Sequence, residues 1–258
     1  MNLITNVQLG SLIPDGLGGA RATSISIIYS FLLKEFKQTA YKQIWINQIG
    51  DDLEEKIIKK SKTEIFINIK YKPSKTSMSL DRLNLIHESL LRIAEYEHRI
   101  DPDSLHRIRQ KILDNKFVFK FICKDYGFNT QGEKAMLLVE PNEDTFRYFI
   151  KVESKNLVVE LLIYLGRPEI LYVPGLFGKC IWKKQGKLVL KGSEKDMEMW
   201  IDYVNKKIEV TNLTKYINPP YFQMMRADIS QEMREAALLD WKHSLPPHIS
   251  ALMDEQQN

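Results

Sequence analysis

The sequence predicts an α+β fold, because helical and strand periodicities occupy separate parts of the chain. Apolar residues recur at spacings of three and four in two consecutive segments, the first over residues 80–98 and the second after Asp101. From Lys116 onward the apolar spacing changes to two, which is typical of strands. Hydrophobic residues make up 44% of the 258, so the chain can form a substantial core.

Residues 1–76 are predicted to form an N-terminal α/β segment in which strands and helices alternate. A short extended stretch precedes a helix over residues 24–36, and strands follow at 42–49 and 64–72. A short helix beginning at Asp51 is predicted between these two strands, because acidic residues at a helix start interact favourably with the exposed amides. A connection of this length is compatible with a parallel pair of strands.

Residues 77–258 are predicted to contain a helical hairpin, a mainly antiparallel sheet and a C-terminal helix. They form either a second domain or one continuous domain with the N-terminal segment. At the corner of the hairpin, Asp101 can cap the second helix and Pro102 suits its first position. The last helix is predicted to begin near Ser230 and to reach His243, shortly before two consecutive prolines.

The sheet is predicted from short alternating runs separated by turn-like sequences, such as PNED at 141–144. Short links of this kind indicate an antiparallel meander. The apolar run at 156–166 is compatible with either a helix or a strand, because it shows no decisive period. The other predicted strands cover residues 117–124, 134–140, 145–153, 179–184, 187–191, 197–204 and 207–212.

The glycine-rich stretch IPDGLGGARATS, residues 13–24, runs into a predicted helix, where phosphate groups are often bound. Gly16 and Gly18 match the first two positions of the dinucleotide-binding pattern, but Arg21 stands where glycine or alanine is required. The P-loop pattern fails as well, because no lysine follows the last glycine. We therefore expect a tight turn whose glycines adopt positive φ angles.

A metal-dependent nuclease is one alternative that the residues allow. Glu153 and Lys155 fall on one face of a predicted strand, and Glu140 lies on the preceding strand. In such enzymes carboxylates hold Mg²⁺ and a lysine steadies the attacking water. The three residues resemble the E-x-K half of PD-(D/E)xK nucleases, whose other half is absent from this chain.

The irregular stretch YINPPYFQMMR, residues 216–226, carries large apolar side chains without a regular period. This pattern predicts either a strap packed on the sheet or a partner-binding surface. The candidate partner-binding residues are Tyr216, Tyr221, Phe222, Met224 and Met225.

Several classes of protein are disfavoured by composition. No apolar run approaches the ~20 residues of a membrane-spanning helix, and the N-terminus lacks the features of a secretory signal. Cys123 and Cys180 lie far apart in apolar surroundings, so we expect reduced, buried thiols. A formal net charge of +4 over the whole chain does not indicate nucleic-acid binding. We expect a cytoplasmic protein that uses no cofactor and no membrane.

Residues 83–121, LNLIHESLLRIAEYEHRIDPDSLHRIRQKILDNKFVFKF, run from a helical hairpin into a strand meander. This stretch resembles bacterial immunity proteins, which neutralise secreted polymorphic toxins. The resemblance implies a cytoplasmic inhibitor that covers the active site of a toxin domain through complementary charge and shape. It assigns no functional residues. The first hypothesis is therefore a non-enzymatic inhibitor, with the nuclease and an assembly subunit of a phage-like or secretion machine as alternatives.

Overall fold

The fold is taken from a computed structural model and has the predicted α+β class. The chain divides into two compact units, Met1–Phe119 (unit 1) and Lys120–Asn258 (unit 2). The residues that the structure describes are 6–13, 16–18, 23–38, 40–74, 77–142, 145–166, 177–192, 198–211, 230–245 and 247–248.

Within the described residues, unit 1 has one four-stranded sheet with strand order β1-β2-β4-β3. Strands β1, β2 and β4 run parallel, and β3 pairs antiparallel with β4 at the edge. A helix, α1, connects β1 to β2. The elements are β1 (Asn6–Ser11), α1 (Thr23–Glu35), β2 (Gln43–Ile49), β3 (Lys56–Ser61) and β4 (Glu64–Lys70).

The prediction of a helix beginning at Asp51 is wrong, because residues 56–61 form strand β3. Ile57 pairs with Ile67 and Ile58 with Phe66 of β4, so their apolar side chains gain cross-strand contacts instead of forming a helical stripe. Three lysines on this edge strand discourage further strand pairing. The parallel relation expected of the flanking strands is confirmed, since β2 and β4 pair directly.

The predicted helical hairpin is confirmed as α2 (Met78–Glu97) and α3 (Pro102–Asp114). The Asp101 side chain accepts hydrogen bonds from the amides of Asp103 and Ser104, and Pro102 opens α3, as expected. His98 ends α2 in the left-handed conformation.

The hairpin belongs to unit 1, which extends to Phe119. Side chains of α2 form hydrogen bonds with earlier parts of the chain. The Tyr29 hydroxyl of α1 lies 2.8 Å from His87 Nδ1, and the Tyr41 hydroxyl donates to the Glu97 carboxylate at 2.6 Å. Such contacts join residues more than fifty positions apart, and local periodicity carries no information about them.

The described part of unit 2 contains two antiparallel meanders, where the sequence predicted a single sheet. The first has strand order β5-β6-β7-β8, and the second β12-β11-β10-β9. The elements are β5 (Phe121–Phe128), β6 (Lys134–Pro141), β7 (Phe146–Glu153), β8 (Val158–Gly166), β9 (Lys179–Lys183), β10 (Lys187–Lys191), β11 (Glu198–Asp202), β12 (Lys207–Thr211) and the C-terminal helix α4 (Gln231–Ser244).

The run at 156–166, which the sequence left open as a helix or a strand, contains strand β8. β5 begins four residues later than predicted, because Lys116 and Phe117 adopt positive φ angles in a turn that closes α3. Its pairing with β6 shifts register twice, between Ile122 and Lys124 and between Asp125 and Gly127. Each shift inserts an extra residue and interrupts the two-residue alternation. None of the helices in the described ranges is long and apolar enough to cross a bilayer.

Candidate protein-binding surface

The predicted nuclease carboxylates, Glu140 and Glu153, lie on the β5–β8 sheet but do not come together. Across the β6–β7 pair, Glu140 faces Arg147, whereas Glu153 faces Lys134. Arg147 and Glu153 are six residues apart on β7, which corresponds to about 20 Å at the usual strand rise. Lys155 lies beyond the end of β7 and is exposed. The two carboxylates are therefore too far apart to bind one metal ion together.

Both carboxylates are instead neutralised by basic neighbours. Glu140 is buried and accepts a hydrogen bond from Arg147 at 2.8 Å, with Lys120 at 3.8 Å. Glu153 pairs with Lys151 at 2.7 Å. The described residues contain no group of three or more His, Cys, Asp or Glu side chains placed to hold a metal. The geometry gives the nuclease hypothesis no support.

Replacing Glu140 by glutamine should lower the stability of unit 2 by about 1–2 kcal/mol, because Arg147 and Lys120 lose their shared carboxylate at a buried position. Urea denaturation would measure this change. Glu153→Gln is the matched control, and its more open ion pair should contribute less than about 1 kcal/mol. Loss of Mg²⁺-dependent hydrolysis in both variants, without loss of stability, would contradict the ion-pair assignment.

The glycine-rich stretch is held by protein groups. The buried Gln48 side chain accepts a hydrogen bond from the Leu17 amide at 2.7 Å and donates one to the Tyr71 carbonyl at 2.9 Å. A Cβ atom on Gly18 would lie 2.3 Å from the backbone carbon of Gly10. The prediction of positive φ angles is wrong for Gly16 and Gly18. A side chain is excluded by close packing instead, against the Ser11 side chain at Gly16 and against the backbone of β1 at Gly18. Arg21 lies outside the described residues.

The two cysteines are free thiols, as expected, although each is only partly buried. Burial raises the pKa of both Cys123 and Cys180 to about 12. Both therefore stay protonated near neutral pH, and neither has the thiolate character of a nucleophile.

A polar network joins α1, α2 and α3, and the buried His87 side chain at its centre is hydrogen-bonded on both sides. Its Nδ1 lies 2.8 Å from the Tyr29 hydroxyl and its Nε2 lies 3.2 Å from His106 Nδ1. Burial, followed by the nearby charges of His106 and Arg109, lowers the pKa of His87 to about 4. The imidazole is therefore neutral at pH 7.

One side of the β9–β12 sheet carries many exposed side chains, unlike the groups described above, which are satisfied by contacts within the protein. Strand pairing places alternate residues of all four strands on this side. We call it the lysine–tryptophan face, and its described members are Lys179, Ile181, Lys183, Lys187, Val189, Lys191, Glu198, Trp200, Asp202, Lys207 and Glu209.

An apolar row crosses the middle of the lysine–tryptophan face. Val189 is fully buried between Ile181 and Trp200, which are 38% and 39% exposed. The Trp200 indole N–H donates to Glu198 at 2.6 Å, and Lys183 Nζ lies 5.3 Å from the centre of the Trp200 ring. The indole is thus oriented by neighbouring side chains and remains accessible to a partner.

Sequence reasoning missed Trp200, although a signal was present. Glu198 and Asp202 lie two residues before and after it in a predicted strand, so alternation places the tryptophan on the charged side. The residues that were predicted for partner binding, from Tyr216 to Met225, lie outside the described residues. Comparison with protein-family models gives no match, and searches of curated proteins and of solved structures likewise find no similar protein.

Proposed function

We propose that this protein is a non-enzymatic binding module, most concretely a cytoplasmic immunity-type inhibitor that neutralises a bacterial toxin by binding it. The observation that carries the proposal is Trp200, a large aromatic side chain exposed on the charged side of a sheet. Tryptophan is enriched among the residues that contribute most to protein–protein binding.

The surroundings of Trp200 support a binding role. Ile181 and Val189 extend the apolar area, and charged side chains surround it, which is the arrangement of an interface with an apolar centre and a polar rim. Because the residues lie on paired strands and not in a loop, little backbone ordering would accompany binding. The resemblance of residues 83–121 to immunity proteins supplies the class of partner, a toxin domain.

Co-expression with a toxic neighbouring gene tests the function. The wild-type protein should restore growth, and Trp200→Ala should fail to do so while remaining folded. Truncation of a residue of this kind typically costs about 2 kcal/mol or more, so binding to the purified toxin should weaken by about 30-fold.

Phe128→Ala is the matched control, because Phe128 is 70% exposed on the other sheet of unit 2. It removes an exposed aromatic side chain of similar character and should leave rescue intact. No rescue by the wild-type protein would overturn the inhibitor function, and full rescue by Trp200→Ala would overturn the role of Trp200 in it.

A further inference from the structure

The lysines of β9 and β10 lie in an unfavourable arrangement. Strand pairing places Lys179 directly opposite Lys191, and Lys183 directly opposite Lys187. Like charges directly opposite each other destabilise a sheet. Local departures from favourable pairing of this kind are expected where a surface serves a function.

The acidic residues of β11 form ion pairs with the two lysines of β10, which is the inner of the two lysine-bearing strands. Glu198 pairs with Lys191 at 2.7 Å, and Asp202 with Lys187 at 3.8 Å. Within the described residues, no carboxylate lies within ion-pair distance of Lys179 or Lys183 on the outer strand. Lys183 extends over the Trp200 ring and, after the hydrogen bond from Lys191, its charge contributes to lowering the pKa of the Glu198 carboxyl, so β11 compensates it in part. Among the described residues, Lys179 at the edge has no acidic neighbour within ion-pair distance.

The spacing of these groups defines a complementary ligand. Lys179 and Lys183 are four residues apart on β9, about 13–14 Å at the usual strand rise, with Ile181 midway between them. An extended peptide has the same rise and alternation. A segment with acidic residues at positions i and i+4 and an apolar residue at i+2 would match all three side chains.

We propose that the lysine–tryptophan face binds an extended acidic segment of the partner protein, laid along β9 with this acid-x-apolar-x-acid spacing. The apolar side chain contacts Ile181 and Trp200, and the two carboxylates pair with Lys179 and Lys183. This inference rests on the proposed function, because it specifies the partner chemistry of the same surface.

The positions of the acidic residues favour a peptide over a nucleic acid. Glu198 and Asp202 flank Trp200 on β11, so a base stacked on the indole would bring its phosphates close to two carboxylates. A peptide along β9 brings an apolar side chain to Trp200, and each of its carboxylates meets a lysine, Lys179 at the edge of the sheet or Lys183 over the indole ring.

The test uses the full-length, ¹⁵N-labelled protein and a synthetic peptide in which the segment Glu-Thr-Ile-Thr-Glu is flanked by serines. The Trp200 indole N–H signal, assigned by its loss in Trp200→Phe, should shift saturably with this peptide. A peptide with glutamine in place of both glutamates should bind about tenfold more weakly, since two charge-assisted contacts are lost.

Charge reversal on the protein completes the test. The double variant Lys179→Glu, Lys183→Glu should abolish the shift, whereas Lys155→Glu, an exposed lysine away from this face, should not. Equal binding of the glutamine peptide, or tighter binding of a thymidine decamer, would overturn the acidic-segment proposal.

Different experimental results would refute the inhibitor function and the acidic-segment site. Toxin rescue that depends on Trp200 but survives the double charge reversal would retain the inhibitor function and refute the acidic segment. Peptide binding that requires both lysines, in a wild-type protein that does not rescue growth, would retain the acidic-segment site and refute the inhibitor function.

Discussion

Replacing Gly18 by alanine is expected to destabilise unit 1 by about 3 kcal/mol, the upper end of the usual cost of overpacking. The new Cβ atom would lie 2.3 Å from the Gly10 carbonyl carbon and 2.4 Å from the Ser11 amide nitrogen. Both are backbone atoms of β1, so the clash is relieved only by displacing the strand or the loop. Displacing the loop would also strain the hydrogen bond between Leu17 and Gln48.

Gly50→Ala is the matched control in the same unit. Its Cβ atom would approach the Asp52 carboxylate at 2.6 Å, and this side chain is exposed and free to rotate away. Hydrogen exchange of β1 and β2 amides in increasing urea would measure both variants. If the two substitutions had equal effects, close packing of Gly18 would not be the reason for glycine at this position.

Unit 1 is expected to lose stability as the pH falls from about 6.5 to 4, because the pKa of His87 is lowered to about 4 in the folded protein. The unfolded chain, in which histidine has its ordinary pKa, takes up a proton first, so acid favours unfolding within this window. A shift of this size corresponds to about 3 kcal/mol, present in full above pH 6.5 and lost by pH 4.

His87→Gln should remove most of this pH dependence above pH 5, where carboxylates remain ionised in both states. The groups that face His87 are Tyr29 from α1 and His106 and Arg109 from α3. His243→Gln, at an exposed position on α4, serves as the control. Urea denaturation at pH 7 and pH 5, with NMR titration of the His87 ring, measures the effect. A His87 pKa near 6.5 would contradict the prediction.

The location of most elements could be predicted because their signals are local. The helix after Asp101 was found through its cap and its proline, which act within one turn. β3 was missed, because Ile57 and Ile58 fit a short helix until the pairing of their strand with β4 is known. The start of β5 was misplaced because the turn at Lys116 and Phe117, with its positive φ angles, has no signature in the apolar spacing.

The candidate site depended more strongly on long-range contacts. Glu140 and Glu153 were grouped because they are close in sequence, yet pairing across β6 and β7 separates them and gives each a basic partner. Trp200 could be assigned to the charged side of its strand from sequence. Its neighbours Ile181 and Lys183 come from a strand two positions away in the sheet, which the sequence does not indicate.

By itself the sequence determined the α+β class, the positions of most helices and strands, and which residues alternate within each strand. Only the tertiary structure decided that the hairpin packs into unit 1, that Gly18 lies against β1, and that lysines of two strands face each other beside Trp200. Periodicity and capping arise from neighbours within a few residues. Strand pairing, backbone contact and charge proximity depend on residues brought together by the fold.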